Sequence, residues 1–167
     1  MIRRSAWSLS LRLWFVVSIV QADARPGANL RRAAEDPSFE KITDMELIHT
    51  CYRITDIDRS VAFYEALGFE KRGRMPIRDE AINVFMGLPG DGDRLELTYN
   101  FGVDSYELGT GYGHIAVTVD DLDPTLERLA EKGIEPEKPP YSVREGGSRL
   151  CFVRDPDGYR IELIERR

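Results

Sequence analysis

Two histidines and two glutamates alternate along the chain as His49, Glu96, His114 and Glu162, and the two histidines are the only ones in 167 residues. The spans from His49 to Glu96 and from His114 to Glu162 are 47 and 48 residues, so the sequence holds two nearly equal His-to-Glu units. Taken singly, each residue is ordinary: a histidine in a strand is commonly a hydrogen-bonded core group, and a lone glutamate a charge facing water. The repeat gives them weight. Two units packed about a pseudo-twofold axis would gather two imidazoles and two carboxylates around one point. Such an N2O2 set, free of thiolate, suits a divalent ion such as Ni, Co, Zn, Mn or Fe, and leaves coordination positions for water or substrate. An open site of that kind is catalytic, not structural.

Arg53 lies four residues beyond His49, and Asn100 four beyond Glu96. Four strand steps cover about 13 Å. The pattern therefore suits a substrate with a reactive end at the metal and an extended anionic tail. Cys51, between His49 and Arg53, reads as a small lining group, since a nucleophile would need a depressed pKa. The glycines of LGTGYGH precede a strand and not a helix, so they do not read as a phosphate loop.

The elements that must position these residues also come twice. Leu47–Ile54 alternates as a strand, with His49, Cys51 and Arg53 on one face and Ile48, Tyr52 and Ile54 on the other. A helix follows, with Asp58 as N-cap, an apolar stripe of Ile57, Val61, Tyr64 and Leu67, and Gly68 as its stop. Strands are expected at about 69–75, 81–87 and 94–100. From His114 the order repeats: strand HIAVTV, a helix capped and opened by Asp123-Pro124 with Leu126, Leu129 and Ala130 inward, a stop at Gly133, then strands at about 134–138, 149–154 and 159–164. Each unit is strand–helix–three strands, and the roughly 65-residue repeat defines an α+β architecture.

The formal charge of −6 is unevenly spread: residues 1–32 hold six arginines against Asp23, leaving 17 bases and 28 acids in the remainder. An acidic body repels a phosphate backbone, which argues against nucleic-acid binding. Two cysteines without a C-x-x-C point to a reduced cytoplasmic protein. At the N-terminus, Arg3 and Arg4, the apolar run LWFVVSIV and Ala22-Asp23-Ala24 have the parts of a signal peptide, which would make the protein exported or organelle-targeted through residues 1–24. Arg12 interrupts that pattern, and eight apolar residues cannot span a bilayer, so stable membrane insertion is not expected. The favoured reading is an unstructured extension over residues 1–44, upstream of a start at Met45, with a linker at 25–44. The domain then covers 45–167, with module one at 45–108 and module two at 109–167.

At LIHT (47–50), DIDRSVAFYEALGF (56–69), LELTYN (95–100), GVDSYELGTGYGHIAV (102–117) and DPDGYRIELIE (155–165), the chain resembles the glyoxalase I (lactoylglutathione lyase) family of the vicinal-oxygen-chelate superfamily. The resemblance covers essentially all of 45–167. It implies two tandem βαβββ modules of the glyoxalase/bleomycin-resistance-like fold and a homodimer whose two active sites form between subunits. By position, His49, Glu96, His114 and Glu162 match the family's metal ligands, and Arg53 and Asn100 match residues that hold glutathione, the co-substrate. Arg144 is the nearest equivalent of a second glutathione contact, in a loop of slightly different length. His at the first ligand position resembles the nickel- or cobalt-preferring subgroup, with zinc as the other metal the family uses. The implied reaction converts the hemithioacetal of methylglyoxal and glutathione to S-D-lactoylglutathione, with Glu162 as base and Glu96 as the alternative. Rival readings are an acyl-CoA epimerase or thiol transferase on the same scaffold, which would not need the Arg53 and Asn100 clamp. A ligand-sequestering protein of the same fold, which would not need four metal ligands, is the other.

Overall fold

Alternation along β1 (Thr50–Ile54) decides which way the first sheet faces: Tyr52 and Ile54 are buried, while Cys51 and Arg53 are exposed. The computed structural model describes residues 45–167, and the expectations placed on residues 1–44 lie outside them. β1 starts after His49, not at Leu47, and Leu47 and Ile48 are exposed. Helix α1 (Ile57–Ala66) buries Ser60, Val61, Phe63 and Tyr64. Its N-cap is Asp56, not Asp58. Asp56 has the extended backbone a cap needs and accepts from Arg59 N at 2.9 Å, whereas Asp58 lies in the first turn, where its charge favours the helix N-terminus. Gly68 ends the helix at φ 93°, with Gly68 N bonded to Glu65 O and Phe69 N to Tyr64 O. Strands β2 (Glu70–Ile77), β3 (Ala81–Gly87) and β4 (Leu95–Asn100) complete a sheet of order β1-β4-β3-β2, parallel at β1/β4 and otherwise antiparallel.

The second module repeats this plan with β5 (Ile115–Val119), α2 (Leu122–Ala130), β6 (Tyr141–Ser142), β7 (Arg149–Arg154) and β8 (Arg160–Glu165), in the order β5-β8-β7-β6. Three local expectations are corrected here. The cap of α2 is Asp121, not Asp123, which leaves Pro124 in the first turn, where no intrahelical N–H is needed. Ala130 is exposed, and Leu122 is buried with Leu129 in its place. No strand forms at 134–138. Pro136, Pro139 and Pro140 cannot donate ladder bonds, so the segment meets β7 through Glu137 N to Phe152 O, and its strand shrinks to the two residues of β6.

Both modules contribute to one core, with Tyr52, Ile54, Tyr64 and Leu97 from the first and Leu122, Val153, Ile161 and Leu163 from the second. The turn 155–158 clasps them together. Asp157 accepts from Thr55 N and Oγ1 and from Ser60 Oγ, and Asp155 accepts from Tyr64. Among the described residues no helix is long and apolar enough to cross a membrane.

Candidate metal and substrate site

Each glutamate sits between two buried residues on its strand, Glu96 between Leu95 and Leu97, and Glu162 between Ile161 and Leu163. Period two therefore turns both carboxylates to the face of their sheet that does not enter the core. The histidine of each module immediately precedes the strand parallel to that glutamate's strand. His49 Nε2 lies 3.4 Å from Glu96 Oε2, and His114 Nε2 lies 3.1 Å from Glu162 Oε2. The side chains are 33% and 16% exposed in the first pair, and 39% and 14% in the second, so both pairs open to solvent.

The surroundings repeat as well. Phe85 is in register with Glu96 and its ring lies 6.0 Å from that of His49, while Phe152 is in register with Glu162 and 5.2 Å from His114. In module two, the Arg160 guanidinium lies over the Phe152 ring, 4.0 Å from its centroid, and is itself held by Glu137.

The four candidate ligands do not meet at one point within the chain. Among the described residues no group of three or more metal-ligating side chains converges. The reason is the shared core: the faces that meet inside the chain are those of Leu97 and Leu163, so the faces carrying the two His–Glu pairs are left open. The donor set of each pair nonetheless fits a metal. Two cis ligands bound at about 2.1 Å lie roughly 3.0–3.4 Å apart for octahedral to tetrahedral angles, the spacing each pair presents.

A family model for the glyoxalase/bleomycin resistance protein/dioxygenase superfamily matches residues 46–163. The chain belongs to this superfamily. It is 41% identical over 129 residues to the lactoylglutathione lyase of Haemophilus influenzae, covering 74% of this chain and 94% of that protein. It is 37% identical over 141 residues to a lactoylglutathione lyase of Arabidopsis thaliana, covering 82% of this chain and 50% of the relative. The chain thus spans half or less of the plant relatives it matches. The glyoxalase I structure from Zea mays superposes with a TM-score of 0.67 at 37% identity, over 72% of this chain and 44% of that one. The two four-stranded mixed sheets, each of one βαβββ module, are the vicinal-oxygen-chelate fold of that superfamily.

In this glyoxalase-superfamily chain, further polar residues lie on the strands that carry the two His–Glu pairs or on the turns between them. Arg53 is exposed on the open face of β1, in register with Thr98. Asn100 is on the same face of β4 as Glu96, and its Nδ2 donates to Tyr106 Oη at 2.8 Å. Arg144 lies on the exposed turn between β6 and β7, where its carbonyl accepts from Gly147 N, and no hydrogen bond or ion pair joins it to either His–Glu pair. Partial desolvation of the Cys51 sulfur by its neighbours pushes the thiol up from its ordinary pKa, against the Thr98 hydrogen bond, which does not favour a nucleophile.

A strand neighbour of Glu96 adds to module one. Thr98 Oγ1 lies 3.2 Å from Glu96 Oε1 and 3.1 Å from the Oδ1 of buried Asn83. It has one proton, and the charged carboxylate is the stronger acceptor. The matching position in module two, two residues beyond Glu162, is Ile164, so among the described residues the Thr98 hydroxyl has no counterpart at that place. Phe85 and Phe152 were discoverable from the repeat itself, as aromatics 11 and 10 residues before their glutamates.

Proposed function

We propose that this protein is a lactoylglutathione lyase, converting the hemithioacetal of methylglyoxal and glutathione to S-D-lactoylglutathione. The observation that carries the reading is the pair of like His–Glu couples at 3.4 and 3.1 Å, each at cis-ligand spacing on an open sheet face. Lactoylglutathione lyases about 40% identical over nearly their whole length support it. His49 and Glu96 of one chain, with His114 and Glu162 of a second, would hold one divalent ion, and a homodimer would carry two such sites. Nickel or cobalt is the proposed ion, given imidazole rather than amide at the first ligand position. When bound, such an ion would supply Lewis acidity, lowering the cost of negative charge on substrate oxygen.

The chain's own residues do the rest. Glu162 takes the proton from the carbon bearing sulfur, and the proton returns to the neighbouring carbon, so the reaction is a net isomerisation without external oxidant. The Thr98 contact supports this choice of base. Glu96 accepts from a hydroxyl on its own strand, a tether that Glu162, with Ile164 in that place, does not have. Arg53 and Asn100 bind the anionic tail of the glutathione moiety about 13 Å from the ligands along their strands. The unpaired cysteines Cys51 and Cys151 accord with a reducing, cytoplasmic setting.

The decisive assay follows product formation from methylglyoxal with and without glutathione, on chelated and on metal-restored protein. Turnover only with both thiol and metal is expected. Turnover that ignores the thiol would remove glutathione from the reading and favour another member of the scaffold.

A further inference from the structure

β1 is an edge strand, hydrogen-bonded to β4 on one side only. Thr50 N donates to Arg94 O at the start of that ladder. In a parallel ladder alternate amides point to the neighbour, so the amides of Arg53 and Thr55 point away from β4. Side chains of module two meet both of them. Arg53 N donates to Tyr159 Oη at 3.2 Å, and Thr55 N donates to Asp157 Oδ1 at 3.0 Å. The position of the Tyr159 hydroxyl is tightly determined. Its ring is 8% exposed, stacks on Tyr52 with centroids 4.4 Å apart at 13°, and takes the Tyr112 ring edge-on at 5.3 Å. Tyr159 also immediately precedes β8, the strand that carries Glu162.

We propose that Tyr159 is a positioning residue for Arg53: its hydroxyl holds the Arg53 backbone against the edge of β1 and so presents the guanidinium, on the opposite side of the strand from Tyr52, to the thiol end of the substrate. The inference rests on the reading of Arg53 as a glutathione contact. Without the hydroxyl, the Arg53 amide has no partner on that edge, the strand end loosens, and binding must first order it. An interaction of this kind contributes uniformly to ground state and transition state, so it should appear in affinity and KM and not in kcat.

The test uses the metal-loaded, full-length protein and S-methylglutathione as a non-reacting probe of the thiol end. Tyr159→Phe keeps the stack and removes the hydroxyl. Tyr52→Phe, which removes a hydroxyl bonded to Tyr112 and not to Arg53, is the control. Tyr159→Phe should speed hydrogen exchange at the Arg53 amide, weaken S-methylglutathione binding by about threefold to tenfold, and raise KM to match with kcat within about twofold. Tyr52→Phe should do none of these, and Tyr159→Phe should add nothing in an Arg53→Ala background. Faster exchange at Arg53 with unchanged affinity would overturn the inference alone, provided Arg53→Ala still weakens binding. An undiminished effect of Tyr159→Phe on top of Arg53→Ala would overturn it too, as a general structural loss. Arg53→Ala without effect on affinity, or no binding by the wild-type protein, would instead sink the glutathione reading and this inference with it.

Discussion

The Tyr64 hydroxyl of module one donates to Asp155 Oδ2 of module two across 2.9 Å, inside the core the modules share. Asp155 also accepts from the backbone amides of Asp157 and Tyr159. Burial nevertheless dominates and pushes its pKa up to about 6, while those hydrogen bonds pull the other way. The folded protein therefore binds more protons than the unfolded chain between about pH 4 and pH 6. Stability from this group is present below that window and falls as pH rises through it. A difference of roughly two units sets an upper bound of about 3 kcal/mol. Asp155→Asn should flatten the slope of unfolding free energy between pH 4.5 and 7, measured by urea titration. Parallel pH profiles for the two proteins would show that the Asp155 proton plays no part.

Metal choice is checked by chelation and restoration. The stripped protein should be inactive and recover best with nickel or cobalt, because imidazole and carboxylate donors with open positions suit these ions. Highest recovery with zinc would overturn the metal preference and leave the reaction intact.

Arg53→Ala should act mainly on binding of the glutathione adduct. Loss of a charge-assisted hydrogen bond costs roughly 1.5–3 kcal/mol, or about tenfold to a hundredfold in kcat/KM. Steady-state kinetics on the hemithioacetal give the answer, and an unchanged kcat/KM means the tail lies elsewhere or the thiol is not glutathione.

The two His–Glu pairs lie on separate open faces, so a shared site would take one pair from each subunit. Glu96→Gln and Glu162→Gln should each be inactive alone. Mixed, unfolded and refolded together, half the dimers are hybrids, each with one doubly altered and one intact site, so about a quarter of wild-type activity should return. Sites built within single chains would each keep a lesion, and the mixture would stay inactive.

His49, Glu96, His114 and Glu162 were legible as two like pairs because a repeat and a two-residue alternation are properties of the chain in one dimension. The same holds for the strands around Tyr52, Leu97 and Leu163, and for the helix stops at Gly68 and Gly133, both of which take positive φ. Helix starts were less legible. Asp56 and Asp58, or Asp121 and Asp123, are equally good caps in isolation, and in the second helix the earlier start brings Leu122 into the first turn, where it is buried. Only the tertiary structure decided that the candidate ligands stay in two pairs within one chain and that Tyr159 meets Arg53 from the other module. Those contacts depend on how two similar modules bury their apolar faces together. That packing is set by the summed burial of many side chains distant in sequence, and no local pattern encodes it.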